Sequence, residues 1–99
     1  NDIVKQWIDD NVMPPDQFPD GWGKDKRNRS VVSTFQSFLS WCKTSNINTK
    51  ITKNDFNKRL EEHGFHKRKM HLSQNDNIFR WENFALYQDT GSIPPSNSK

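Results

Sequence analysis

The stretch 51-ITKNDFNKRLEEHGFHKRKMHL-72 joins two kinds of sequence at one glycine, and the fold turns on how that joint is read. Its first half carries the start and stop signals of a short helix. Thr52 and Asp55 stand at capping-box spacing, with Asp in place of the preferred Glu, and Ile51 and Phe56 are placed for a hydrophobic staple. At the other end Gly64 falls where a left-handed residue is needed, and from there Phe65 can fold back onto Leu60. The spacing predicts a helix over 53–63. Alone it would be marginal in water, so it must pack through Phe56 and Leu60. Lys53, Asn54, Asn57 and Lys58 then face outward, with Glu61 at the margin.

After Gly64 the period changes to two. Met70 and Leu72 fall on one face and Lys67, Lys69 and His71 on the other. The cluster 73-SQNDN-77 reads as a turn, and 78-IFRW-81 as a returning strand with Phe79 and Trp81 on one side and Arg80 on the other. Phe84 and Leu86 are out of phase with those rings, which a bulge near Glu82 and Asn83 would repair; a helical turn over 82–87 is the competing reading. Residues 66–86 are thus expected as a β-hairpin that turns its charge outward and its rings onto the helices.

Upstream, residues 2–13 place Ile3, Val4, Trp7, Ile8 and Val12 at helical spacing behind a capping Asp2. The proline-rich run 14-PPDQFPDGWG-23 is a loop, tacked to the core by Phe18 and Trp22. Residues 30–43 form a second helix capped by Ser30, with Val31, Phe35, Phe38, Leu39 and Cys42 as its apolar stripe and Trp41 off it. Helix, loop, helix, polar gap, helix and basic hairpin is the order of an α+β winged helix-turn-helix. The expected division is a first helix over 1–13, a loop over 14–29, a helix-turn-helix over 30–63, a wing over 64–87 and a flexible tail over 88–99.

Composition agrees with one small domain. Of 99 residues only 30% are hydrophobic, yet 12% are aromatic, so the core must be built from large rings. No apolar run approaches a membrane span, the start lacks the pattern of a signal peptide, and the lone Cys42 suits a reducing, cytoplasmic setting as a small buried hydrophobe. Without an initiator Met the chain reads as a piece of a longer protein. Its net charge is +3, and the distribution is more telling than the sum. Lys24, Lys26, Arg27 and Arg29 form one cluster, and His66, Lys67, Arg68, Lys69 and His71 another. A solvated face on an ordinary basic protein would look similar. In a winged helix, however, a phosphate backbone passes along the wing while the third helix enters the major groove, and the charge then has a reason.

At this point the sequence resembles a family. The run 33-STFQSFLSWCKTSNINTKITKNDFNKRLEEHGFHKRK-69 is similar to the C-terminal domain of phage, plasmid and poxvirus primase-helicases. Phe35, Phe38, Trp41 and Cys42 match its aromatic helix, Thr52, Phe56, Leu60 and Gly64 the next one, and a basic stretch and an aromatic strand follow as in that family. The resemblance implies a non-catalytic winged-helix appendage that recognises a replication origin, joined in the full-length chain to a helicase motor whose phosphate-binding loop is not in this sequence. It also allows an oligomer formed through the full-length protein.

The residues expected on double-stranded DNA are Lys53, Asn54, Asn57 and Lys58 in the major groove, Lys67, Arg68 and Lys69 on the wing, and Lys24, Lys26, Arg27 and Arg29 beside them. No cofactor, metal or catalytic residue is expected. His63, His66 and His71 straddle a helix end and a strand without a fourth ligand, and no nucleophile motif occurs. The competing function is a protein-interaction or oligomerisation module, supported if Trp22, Trp41 and Tyr87 form an exposed patch.

Overall fold

In the computed structural model, which describes residues 2–73 and 76–91, the helix starts lie where the capping residues put them. Asp2 Oδ1 accepts from the N–H groups of Val4 and Lys5, each at 3.1 Å, and opens α1 (Ile3–Asn11), which buries Val4 and Trp7. Ser30 Oγ accepts from the N–H of Ser33 at 3.3 Å and opens α3 (Val31–Thr44). Thr52 Oγ1 accepts from Asp55 N–H at 3.2 Å and opens α4 (Lys53–Glu62). The end of α4 is a Schellman turn: Phe65 N–H donates to the Leu60 carbonyl at 3.1 Å and Gly64 N–H to that of Glu61 at 3.0 Å. Gly64 holds φ +96° there, a conformation that costs any residue with a Cβ.

The first helix is shorter than its apolar pattern. The chain leaves it after Asn11 because Pro14 disfavours a helical residue before it, and β1 (Val12–Met13) pairs antiparallel with β4 (Ala85–Leu86). The segment expected as plain loop holds a 3-10 turn at Pro15–Gln17 and a single helical turn, α2 (Lys24–Arg27). Phe18 and Trp22 meet each other at 5.5 Å between ring centroids and stay outside the core cluster, so they brace the loop from within.

The core is aromatic. Trp7 lies edge-on to Phe38 at 5.9 Å and to Phe56 at 5.4 Å, and Phe38 and Phe56 approach to 4.7 Å. Trp81 and Phe84 complete it. On α3 the buried residues are Val31, Thr34, Phe38 and Cys42; Leu39, expected in the stripe, is exposed, whereas Trp41 stacks on Phe38 at 6.5 Å. Thr34 is tolerated in the core because its hydroxyl donates to the Ser30 carbonyl at 2.6 Å.

The hairpin is β2 (Lys67–Ser73) against β3 (Asp76–Trp81), antiparallel, with Lys67 opposite Trp81 and Lys69 opposite Phe79. Directly opposed residues share a face. Basic residues and rings therefore stand on the same side of the wing, where the alternation alone suggested opposite sides. Trp81 is buried but Phe79 is exposed. Isolated bridges flank β3: Ser30 bridges Arg80, and Arg29 accepts at its carbonyl from Trp81 N–H at 2.8 Å and donates its N–H to the Phe84 carbonyl at 3.0 Å. The phase change after Trp81 is neither bulge nor helix. Residues 82–83 are a turn in which Asn83 takes φ +49°, and this returns Phe84 to the core.

Tyr87–Thr90 form a 3-10 turn, so the folded unit runs past the expected start of the tail; residues 92–99 lie outside the described residues. α1, α3, α4 and the hairpin give an α+β winged helix-turn-helix.

Candidate nucleic-acid interface

The basic side chains singled out from the sequence separate into four surroundings. Lys24 and Arg27 of α2 line one open hollow of about 380 Å³ together with Arg68, Lys69 and His71 of β2. The two clusters, far apart in sequence, meet because Arg80 anchors α2 to the hairpin: its Nη1 donates to the carbonyls of Asn28 at 2.8 Å and Asp25 at 3.3 Å. Asn28 adds its own tie, accepting at Oδ1 from Asn83 N–H at 3.0 Å. Glu82 is the acid in the wall of this hollow, and Arg68 Nε holds it at 2.6 Å. Its charge is thereby partly neutralised, and the balance of the hollow is cationic.

Lys53, Asn57 and Lys67 converge on a second, apolar groove of about 670 Å³ between the start of α3, α4 and the wing. Lys67 also lies 6.0 Å from the centre of the Trp81 ring and 3.3 Å from Glu61. Asn57 does not face outward as expected. It is buried, because it follows Phe56 by one residue on α4 and so sits at the flank of the packed stripe, where α3 and the wing close over it. Its Oδ1 has no hydrogen-bond partner among the described residues.

Arg29 is also placed differently from a surface contact. Nε pairs with Asp89 at 3.1 Å, Nη1 donates to Ser33 Oγ at 2.7 Å and Nη2 to Ser37 Oγ at 3.3 Å. A guanidinium so satisfied, and largely buried, ties the turn Tyr87–Thr90 to α3. Lys26 is exposed beside it. Lys58 lies among Asp2, Asp55, Arg59 and Glu62, a mixed surface, and Asn54 is exposed on the first turn of α4.

Other chemistry has little to build on. Burial pushes the Cys42 thiol up from its ordinary range, which keeps it an inert thiol. No three His, Cys, Asp or Glu side chains gather as a metal site among the described residues. His63 is engaged with Asp2, Nε2 to Oδ2 at 3.1 Å. Of the described helices, none is long and apolar enough to cross a membrane. Trp22, Trp41 and Tyr87 are half-buried, and among the described residues the large exposed apolar side chains are Val32, Leu39, Ile78 and Phe79 instead. That exposed set was not legible in the sequence, because Phe79 alternates in step with the buried Trp81.

The α+β fold thus carries a cationic hollow beside its hairpin. The match to a family is specific: residues 6–88 fit the model described as Poxvirus D5 protein-like, and the chain belongs to that family. Membership sets it in a DNA-replication, primase-helicase context. Neither the comparison with curated proteins nor that with solved structures gave a match.

Proposed function

We propose that this chain is the non-catalytic, DNA-binding winged-helix domain of a primase-helicase, and that it recognises the replication origin of a mobile element in the bacterial or host cytoplasm. The observation that carries the proposal is the meeting of Lys24 and Arg27 with Arg68, Lys69 and His71 in one open hollow beside the wing. Like charges gathered at that density repel one another unless a polyanion neutralises them. A phosphate backbone running over the wing supplies such a partner, and the first turn of α4, with Lys53 and Asn54 exposed, is free to approach base edges in the adjoining major groove. The helicase motor of the full-length chain would be the partner in cis.

Within this reading the eleven candidate positions are not equivalent. Lys24, Arg27, Arg68 and Lys69 contact phosphate; Lys53 and Asn54 approach the groove; Arg29 supports the fold. Binding of a labelled duplex across a salt series tests it. Lys69→Ala should weaken every duplex alike and flatten the salt slope by roughly one unit, and an unchanged slope removes Lys69 from the footprint. A second reading, a protein-interaction module of the same helicase, is favoured by the exposure of Val32, Ile78 and Phe79 around one groove.

A further inference from the structure

The groove between α4 and the wing holds a combination that duplex DNA does not use. Val32, Ile78 and Phe79 give it an apolar surface, exposed by 54%, 41% and 52%. Lys53 and Lys67 contribute its positive charge, and no carboxylate lines it. Asn57 stands in its wall with 9% exposure and an amide oxygen that nothing in the described chain satisfies. A buried amide left without a partner costs about 1–3 kcal/mol, and such groups are rare enough in folded proteins to need a reason.

Three occupants can be weighed on that chemistry. An apolar helix or strand of a protein would cover Val32, Ile78 and Phe79, but it would press Lys53 into a low-dielectric contact with no counter-charge and would bury the Lys67–Glu61 pair. A stacked duplex offers phosphates to the lysines, yet its ring faces are hidden in the stack and cannot reach Phe79. An unpaired nucleotide offers all three groups at once: a ring face for Phe79, phosphates for Lys53 and Lys67, and a polar edge for the amide. The sheet face continues this character, since Lys69 stands directly opposite Phe79. An exposed ring among lysines is the platform on which single strands stack.

Resting on the DNA-binding reading above, we infer that this groove receives an unpaired base of single-stranded DNA, with Phe79 stacking on the ring, Lys53 and Lys67 holding the flanking phosphates, and the Asn57 amide meeting the base edge. The domain then has two DNA surfaces on its hairpin: the cationic hollow for a duplex backbone and the apolar groove for a strand that has left the duplex.

Anisotropy of a labelled single-stranded oligonucleotide and of a duplex of the same length, with the wild type, Phe79→Ser and Phe79→Trp, tests the assignment. Phe79 is half-exposed, so neither variant should disturb the fold, and circular dichroism checks that. Phe79→Ser should weaken the single strand roughly tenfold, as loss of one base–aromatic stack does, and leave the duplex within about twofold. Phe79→Trp should restore single-strand binding. Unchanged single-strand affinity in Phe79→Ser, or an equal loss for both DNAs, overturns the inference. A wild type that binds the duplex and not the single strand overturns this assignment alone. Failure to bind either DNA overturns the DNA-binding reading as well and passes the groove to a protein partner.

Discussion

Asn57 shows how a residue can be right for chemistry and misplaced by a helical wheel. Its type suggested an outward reader of bases; its burial beside Phe56 makes it the wall of a groove, with an unmet amide oxygen. Asn57→Leu is expected to stabilise the fold by about 1 kcal/mol in urea unfolding, because an apolar group replaces an unpartnered polar one, and to weaken single-strand binding at the same time. A stability gain traded against function marks a residue kept for binding. Gly64 is the opposite case, legible from spacing alone. Since open space surrounds its missing Cβ, Gly64→Ala should cost only the left-handed strain, about 1–2 kcal/mol. Asp2 supplies a pH dependence. Burial works against its charge, but Lys5 N–H, His63 and Val4 N–H outweigh that and hold its carboxyl below its ordinary value. A depressed folded pKa means stability present above the unfolded value of about 4 and lost as pH falls through the folded one. The carboxyl is about half-exposed, so the effect is small. Asp2→Asn keeps the cap and should show a shallower loss of stability between about pH 5 and pH 3; an unchanged acid limb in denaturation would disprove the assignment.

At the scale of elements, what was legible was local. The caps of α1, α3 and α4 depend on residues within one turn of each other, and Asp2, Ser30, Thr52 and Gly64 announce them. What was not legible depends on partners far away. Val12 and Met13 continue the apolar rhythm of α1; Pro14 takes them out of the helix, and pairing with Leu86 and Ala85 makes them a strand. The three residues before α3 carry no strand pattern, yet Arg29 pairs through its backbone with Trp81 and Phe84. Arg29 also looked like one more cation in a basic run, and its side chain proves to be a clamp on Asp89, Ser33 and Ser37. Arg29→Ala should therefore lower stability by roughly 2 kcal/mol, the worth of a charged hydrogen-bond set in partial burial. Lys69→Ala, on an exposed position, should stay within about 0.5 kcal/mol of wild type. Equal effects of the two on the urea midpoint would show that Arg29 is not structural.

For the whole molecule, the winged-helix order could be read from the sequence because α1, α3 and α4 announced their starts and the hairpin changed period at Gly64. The surface could not be read the same way, since alternation does not say which face of the wing the helices cover. The fold answers by putting Lys67 and Lys69 on the face of Phe79 and Trp81, and by bringing α2 behind Arg80. Charge that looked like two runs becomes a hollow and a groove that share one hairpin. These surfaces are proposed to bind DNA, with duplex affinity set by phosphate contacts. The direct measurement is anisotropy of labelled duplexes, one from the origin of the element that encodes the chain and one random, across a salt series. Tight origin binding over a weaker random background is expected, with log K falling against log salt at a slope of about −3.6 for the roughly four phosphates met by Lys24, Arg27, Arg68 and Lys69. No binding of either duplex at moderate salt would contradict it.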